Sequence, residues 1–276
     1  MPGVYNMGII TKNSIGLENV KAVYSGAEGQ LWERIMGEQI HIGGLTSSMD
    51  LAAKAGIAAG TVGVDLCCCT GAGMRFLLRF QKVAHMTGVD ATARMVETGC
   101  ERCQAEGFSK DQVEFVLGNA CATGLYPASK NFVWGEDAWC YVEDKTQLIA
   151  EAARLVKSGG TIAFTDWVTG PVEMSDAEAQ RFLSFMKFPN MASIADYTAL
   201  LEANGCEIVH AENTGRFAPC IDLYLDMLNK QLTYDALKII GFDMEMMQGL
   251  GGEMVFVQQL AHESKLVQGL FVARKK

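Results

Sequence analysis

From residue 61 onward the chain alternates short apolar segments with amphipathic ones, and this alternation restricts its possible folds more than any other feature. The apolar segments have the length of strands and lie at residues 61–66, 84–89, 113–117, 132–134 and 161–165. The segments between them place apolar residues at helical spacing. Such an alternation predicts a mostly parallel sheet with helices on both faces, because parallel strands need a crossover that is usually a helix.

Further helical patterns flank this region. Residues 15–55 repeat apolar residues at helical spacing, and the chain is mainly helical after Asp166. The later helices are predicted at residues 175–186, 193–204, 219–237 and 243–262. Two more strands, near 207–211 and at 266–273, bring the sheet to seven. The expected fold class is therefore α/β, with a doubly wound, seven-stranded, mostly parallel sheet.

Helices before and after the alternating region are expected to form a cap. The helical stretch between the last two strands is too long for a hairpin connection. We therefore place it over the C-terminal edge of the sheet, where doubly wound folds bind their ligands. We expect residues 1–55 to form an N-terminal helical cap segment, and residues 56–276 to form the sheet domain with a helical cap insertion spanning 215–264.

Charge and composition exclude several classes of protein. The chain has 23 Lys and Arg against 32 Asp and Glu, which gives a formal net charge of −9. Non-specific affinity for nucleic acids and anionic membranes comes from clustered basic residues, so neither is an expected partner. Hydrophobic residues make up 49% of the chain, enough for a large core and too many for a disordered chain.

The cysteines and the N-terminus indicate a cytoplasmic location. Residues 1–10 lack the basic residue that opens a secretory signal, and no segment free of charged residues is long enough to span a membrane. We therefore expect the nine cysteines to be thiols in a reducing compartment. Cys100 and Cys103 lie within a predicted helix with no second pair nearby, so no metal site is expected.

Polar residues follow the first three predicted strands. The first strand runs into three consecutive cysteines, then Thr70 and Gly71, before a helix starts. Small residues in such a turn let the backbone approach a ligand, and the helix N-terminus presents free N–H groups. Asp90 ends the second strand about 20 residues further on, where a carboxylate can accept both hydroxyls of a ribose. Asn119 and the Ala120 N–H follow the third strand.

In these positions the sequence resembles the S-adenosylmethionine-dependent methyltransferases with a Rossmann-like fold. Their first motif is an acidic residue followed by alternating glycines, and here it reads Asp65-x-Cys67-x-Cys69-x-Gly71. Cysteines therefore occupy the first two glycine positions. An ordinary dinucleotide-binding domain is the competing interpretation; the spacing of its third glycine is missing, and the seventh strand is typical of the methyltransferases.

The resemblance implies S-adenosylmethionine as cofactor and S-adenosylhomocysteine as product. It implies that Asp90 binds the ribose and that Asn119 accepts a hydrogen bond from the adenine amino group. Tyr24 stands where relatives close an aromatic residue over the cofactor. The predicted cofactor-binding residues are Tyr24, Asp65, Cys67, Cys69, Gly71, Asp90, Ala91, Asn119, Ala120 and Glu136.

Two segments resemble a narrower group, the sarcosine/dimethylglycine N-methyltransferases. Residues 31–43 are similar to its aromatic-rich helix and the Gly-Glu-Asp-Ile-His-x-Gly that follows, with Gln39 in place of the aspartate. Residues 134–141 are similar to its stretch after the fourth strand, with Glu136 in place of a glutamine and Tyr141 in place of a histidine. The resemblance implies a small-molecule acceptor with an amine nitrogen, and the three departures fall near the expected reaction centre.

Three residues are the candidates for catalysis. A methyltransferase aligns acceptor and methyl group, excludes water and, for a protonated acceptor, removes a proton. His41, Tyr141 and Asp166 are the predicted bases or acceptor-positioning groups, with Glu136 as an alternative. Aromatic faces attract cations, and the candidates for an aromatic cage around a methylated ammonium are Trp32, Trp139 and Trp167.

Alternatives to an amine acceptor stay open. Met244, Met246, Met247 and Met254 would give a flexible apolar wall suited to a C- or O-methyl acceptor, or would simply pack between helices. The altered glycines would also suit a non-catalytic, cofactor-binding relative. The sequence does not decide between a monomer and a homodimer.

Overall fold

Seven strands form one sheet in a computed structural model of the chain, which describes residues 10–11 and 15–276. These strands are β2 (Val62–Leu66), β3 (His85–Asp90), β4 (Val113–Leu117), β5 (Lys130–Glu136), β6 (Val156–Thr169), β8 (Cys206–Asn213) and β9 (Leu266–Lys275). Their order is β4-β3-β2-β5-β6-β9-β8. Six of these strands run in the same direction, and β9 runs in the opposite direction. The predicted α/β class and seven-stranded, mostly parallel sheet are confirmed.

Two short strands pair outside this sheet. They are β1 (Ile10–Thr11) and β7 (Asn190–Met191), which run antiparallel to each other. Residues 1–9, on which the expectation about a secretory signal rests, lie outside the described residues. Within the described residues, no helix combines the length and the apolar character needed to cross a membrane.

The helices occupy the positions that the periodicity predicts. Before the sheet lie α1 (Leu17–Ser25), α2 (Ala27–Met36) and α3 (Gly44–Ala55). Between its strands lie α4 (Ala72–Phe76), α5 (Ala93–Ala105), α6 (Lys145–Leu155), α7 (Asp176–Met186) and α8 (Ile194–Ala203), and a π-helical turn, Leu77–Gln81, extends α4. Between β8 and β9 lie α9 (Phe217–Lys230), α10 (Thr233–Ile239) and α11 (Met244–His262). Side-chain caps fix several starts; Ser175 and Glu178 form a capping box at α7.

Two details differ from the sequence prediction. The helix predicted over 219–237 is divided into α9 and α10, because the Gln231 and Leu232 N–H groups both donate to the Met227 carbonyl and end the first helix. Strand β6 is longer than predicted, because its pairing with β9 continues from Thr161 to Thr169.

Three hydrophobic clusters join these elements. One packs α6 and α8 against the sheet, and a second packs α3 and α4 against it. The third joins α2, α7, α9 and α11 around Trp167, near the C-terminal end of β6. The cap helices therefore cover the C-terminal edge of the sheet, whereas α3 packs on the sheet itself. Burial of these apolar side chains is the main stabilising contribution to the fold.

Candidate functional site

A cavity of about 520 Å³ opens at the C-terminal edge of the sheet. The ends of β2, β3, β4 and β5 form its base, and α1 and residues 38–41 form its opposite wall. Of the predicted cofactor-binding residues, Tyr24, Asp65, Cys67, Cys69, Asp90, Ala91, Asn119, Ala120 and Glu136 line this cavity. Residues from distant parts of the sequence are thus brought together where the alternation predicted a ligand site.

The cysteine turn keeps the backbone of a glycine turn. Cys67 and Cys69 have φ angles of 64° and 48°, in the left-handed region that glycine adopts easily. A side chain there costs about 1–2 kcal/mol per residue. The Cys69 N–H donates to Asp90 Oδ2 at 2.8 Å, and the Cys67 N–H donates to the Val89 carbonyl at 2.8 Å. These bonds hold both cysteines of the turn at left-handed φ angles.

Gly71 shapes the turn but does not line the cavity. Its φ is 72°, and an added Cβ would lie 2.6 Å from Phe115 Cζ. The prediction that Gly71 contacts the cofactor therefore lacks support from its position. The glycine is required by the left-handed conformation and by the packing of Phe115 behind the turn.

Two carboxylates face each other across Gly73. Asp65 is buried, and its carboxylate makes no hydrogen bond to any residue that the structure describes. Burial, then the nearby Glu136 and Asp90, raise the pKa of Asp65 well above its usual value. An added Cβ at Gly73 would lie 2.6 Å from Glu136 Oε2 and 3.2 Å from Asp65 Oδ2. The arrangement fits a cationic amine, such as the amino group of S-adenosylmethionine, placed against both carboxylates.

The side chains predicted to bind the ribose and the adenine already accept hydrogen bonds from backbone N–H groups. Asp90 Oδ1 accepts the Thr92 N–H at 2.8 Å, and burial raises the pKa of Asp90. Asn119 Oδ1 accepts the Cys121 N–H at 2.8 Å. The Asn119 oxygen that was expected to face adenine therefore already has a donor, while both side chains still line the cavity.

His41 lies between the cofactor cavity and the cap. Its Nε2 is 3.2 Å from Ser48 Oγ and 3.4 Å from Glu136 Oε1, and the Ser48 hydroxyl donates to that same Glu136 oxygen at 2.6 Å. The ring is only 3% exposed, and its Nδ1 has no hydrogen-bond partner among the described residues. The contacts of Nε2 fix the ring plane and leave Nδ1 available to a ligand.

Asp137 secures the loop that carries His41. Its Oδ2 accepts the Ile42 N–H at 2.8 Å, and Gln268 Nε2 donates to both of its oxygens at 2.9 and 3.0 Å. Burial raises the pKa of Asp137. Because all these groups are buried, loss of the carboxylate would leave donors unsatisfied and loosen the loop.

A narrow cavity of about 20 Å³ continues from the larger one into the cap. Tyr24, Ile40, His41, Asp137 and Tyr141 line both cavities. The narrow end is enclosed mainly by aromatic rings, those of Tyr24, Trp32, Tyr141, Trp167 and Phe188. Tyr141 meets Tyr24 and Phe188 edge to face, with centroid distances of 5.5 and 4.8 Å. Two of the three predicted cage tryptophans are thus placed together at one site.

Trp139 and Asp166, by contrast, lie behind the site. Trp139 is fully buried, stacks on Phe164 and donates to the Leu66 carbonyl. Asp166 is also fully buried and accepts hydrogen bonds from the Tyr197 hydroxyl at 2.6 Å and the Cys140 N–H at 2.9 Å. Burial raises the pKa of Asp166 to about 6. Neither residue lines either of these two cavities, and through Cys140 the Asp166 carboxylate positions the turn that carries Tyr141.

The four late methionines do not line either cavity. Met254 packs in the cap cluster, whereas Met244 and Met246 are 56% and 49% exposed. The apolar wall proposed for them is therefore not formed.

Several residues of the site gave no usable sequence signal. Ser48 links His41 to Glu136, Gln268 holds Asp137, and Phe188 closes the aromatic end. They come from α3, β9 and the segment after α7, so no local motif unites them. Of the site residues that were not predicted, Gly73 is the one with a local sequence signal, because a glycine inside a helical pattern often marks a close approach to that helix.

The chain is similar to known methyltransferases. Residues 64–164 match the family described as a methyltransferase domain. A dimethylglycine N-methyltransferase from Parasynechococcus marenigrum is 27% identical over 213 residues, covering 71% of this chain and 74% of the relative. Other relatives of similar identity are named sterol 24-C-methyltransferases, so the relatives differ in the atom that they methylate.

Two solved structures share the fold over nearly the whole chain. A Haemonchus contortus phosphoethanolamine N-methyltransferase with S-adenosylhomocysteine has a TM-score of 0.83 at 19% identity, covering 96% of this chain and 60% of its own. A Galdieria sulphuraria protein, provisionally named a sarcosine dimethylglycine methyltransferase, has a TM-score of 0.80 at 18% identity, covering 92% and 99%.

The strand order gives the chain the Rossmann-like fold of the S-adenosylmethionine-dependent methyltransferases. Within that class it carries the methyltransferase domain matched at residues 64–164 and has dimethylglycine and phosphoethanolamine N-methyltransferases among its relatives. Its cofactor is S-adenosylmethionine, and its acceptor is a small molecule.

Proposed function

We propose that the chain transfers a methyl group to the nitrogen of a small amine, of the size of sarcosine or dimethylglycine. The observation that carries this proposal is the aromatic end of the site, which adjoins His41 and the acidic cofactor cavity. Ring faces stabilise ammonium groups, and a buried imidazole can accept a proton from one. A site for an uncharged carbon or oxygen acceptor would have no need of ring faces that stabilise a cation.

The cofactor cavity offers side chains for the amino group, the ribose and the adenine of S-adenosylmethionine. Bound there, the cofactor would provide a methyl group on a positively charged sulfur. Asp65 and Glu136 would bind its amino group, Asp90 its ribose, and Asn119 with Ala120 the adenine. Tyr24 would cover the cofactor from α1 and separate it from water.

His41 is the group best placed to accept a proton from the acceptor. An ammonium has no free electron pair, so a protonated amine must lose a proton before its nitrogen attacks. The Nδ1 of His41 is unpartnered among the described residues, while Ser48 and Glu136 hold the other side of the ring. Burial raises the pKa of Tyr141 beyond its usual value, so Tyr141 stays neutral and positions the acceptor.

Release of S-adenosylhomocysteine across a panel of acceptors tests this proposal. Amines should support release, whereas phenols, hydroquinones and sterols should not. His41→Asn should lower kcat, while the affinity for S-adenosylmethionine stays within about threefold, about 0.65 kcal/mol. Release with a phenol or sterol, and none with any amine, would contradict the proposal.

A further inference from the structure

We propose, building on the amine acceptor above, that this site selects amines without a carboxylate or phosphate. The inference rests on the charges around both cavities. Seven acidic residues line the larger one, and no Lys or Arg among the described residues lines either. An acceptor with an acid group would bring a further negative charge into this anionic enclosure.

The carboxylates nearest the aromatic end are buried and, among the described residues, have no Lys or Arg beside them; their basic neighbour is the imidazole of His41. Asp137 is 6% exposed and is held by the Ile42 N–H and by Gln268, which is neutral. Glu136 accepts the Ser48 hydroxyl, and Asp65 has no hydrogen bond to a described residue. Water is largely excluded here, so an ammonium beside these carboxyl groups would favour their ionised form, whereas an acid group would find no Lys or Arg of the described chain to pair with.

The basic residues around the site are already paired, in the case of Arg75 with the lining residue Glu38. Arg75 is 5% exposed and forms ion pairs with Glu38 and Glu106, and Arg102 pairs with Glu33. Lys145 is 2% exposed and donates to the carbonyls of Cys140 and Val142. None of these three cations lines either cavity. An acid group at the acceptor site would therefore be desolvated without a Lys or Arg from the described residues to pair with, which is strongly unfavourable.

Pairs of acceptors matched in size test this selection. Sarcosine and sarcosinamide differ only in the acid group, as do dimethylglycine and dimethylglycinamide; ethanolamine and phosphoethanolamine extend the test to phosphate. In each pair we expect kcat/KM to be at least about 100-fold higher for the amine without the acid group. In the other member the acid group would be an unpaired buried charge. Ratios within about threefold would overturn the inference and leave the amine proposal standing.

Failure of the underlying proposal would look different. If no member of the panel supports release while a phenol or sterol does, the amine acceptor is wrong, and the selection between amines falls with it.

A charge placed at the rim provides a second test. Gln39 is half-buried and lines the larger cavity. Gln39→Arg should raise kcat/KM for sarcosine relative to sarcosinamide by at least about tenfold, and Gln39→Met, similar in length but neutral, should leave that ratio unchanged. Circular dichroism and S-adenosylmethionine affinity would establish that both variants are folded. An unchanged ratio in Gln39→Arg would overturn the inference, since charge would then not be what excludes acids.

Discussion

The substitution Gly73→Ala should weaken cofactor binding while the protein still folds. In Gly73→Ala the new Cβ would lie 2.6 Å from Glu136 Oε2 and 3.2 Å from both Asp65 Oδ2 and Trp134 Nε1. Asp65 and Trp134 lie on neighbouring strands of the sheet and cannot move easily. The Glu136 side chain must therefore shift, and the methyl group would occupy the space between the two carboxylates.

The expected magnitudes follow from these contacts. Overpacking costs about 1–3 kcal/mol, and alanine in a helix recovers about 0.5–1 kcal/mol relative to glycine. The net loss of stability is then at most about 2.5 kcal/mol. Loss of one hydrogen bond between charged groups costs about 1.5–3 kcal/mol, which weakens S-adenosylmethionine binding about tenfold to a hundredfold.

Titration calorimetry with S-adenosylmethionine, paired with urea denaturation, measures both effects. Gly252→Ala is the matched control, because Gly252 is exposed on α11 and an added Cβ has no atom within 4 Å. The control should gain about 0.5–1 kcal/mol of stability and bind the cofactor as the wild type does. Wild-type affinity in Gly73→Ala would refute our placement of the amino group between Asp65 and Glu136.

Three further predictions concern the cofactor turn and the groups behind the site. Asp90→Ala should weaken S-adenosylmethionine binding in calorimetry by at least about tenfold through loss of the ribose acceptor; unchanged affinity would contradict that role. Cys69→Gly should change the free energy of unfolding in urea by less than about 1 kcal/mol, because relief of the left-handed strain offsets the flexibility of glycine. Cys69→Val should lower that free energy by about 1–3 kcal/mol. Equal losses in the two variants would show that the φ of 48° at Cys69 carries no strain. The pKa of about 6 for Asp166 exceeds its unfolded value near 3.8. Its stabilising contribution is therefore fully present below pH 3.8 and is lost as the pH rises through about 6, so wild-type stability should fall relative to Asp166→Asn by about 2 kcal/mol from about pH 4 to about pH 7. Parallel pH profiles of unfolding would exclude this linkage.

The sequence predicted the sheet well because each strand carries its own signal. Apolar runs ending in Asp65, Asp90 and Asn119 place three polar groups at one edge as soon as the strands are parallel. The extra length of β6 could not be predicted, since it comes from pairing with β9, about a hundred residues away.

The backbone conformation of the cofactor turn could not be decided from the sequence alone. Cysteines at positions 67 and 69 would also suit a turn with a different backbone. The structure gives them the left-handed angles of glycine, and the hydrogen bonds to Val89 and Asp90 hold those angles. Cysteine in these positions therefore preserves the backbone conformation of the turn.

The acceptor end of the site was the least predictable part. Tyr24, Trp167 and Phe188 lie on α1, on β6 and after α7, and only tertiary packing brings their rings together. Asp166 shows the converse error, because an acidic residue at a strand end looked functional. The structure places it behind the Trp139–Tyr141 turn, with both oxygens hydrogen-bonded.

Transfer of a labelled methyl group tests the central claim most directly. The enzyme would be incubated with S-adenosylmethionine carrying a ¹³C methyl group and with dimethylamine, sarcosinamide and a hydroquinone in one mixture. Carbon NMR of the products distinguishes a methyl on nitrogen from one on oxygen or carbon. We predict that the label appears on the amine nitrogens. Label found only on the hydroquinone, with both amines unchanged, would contradict the account.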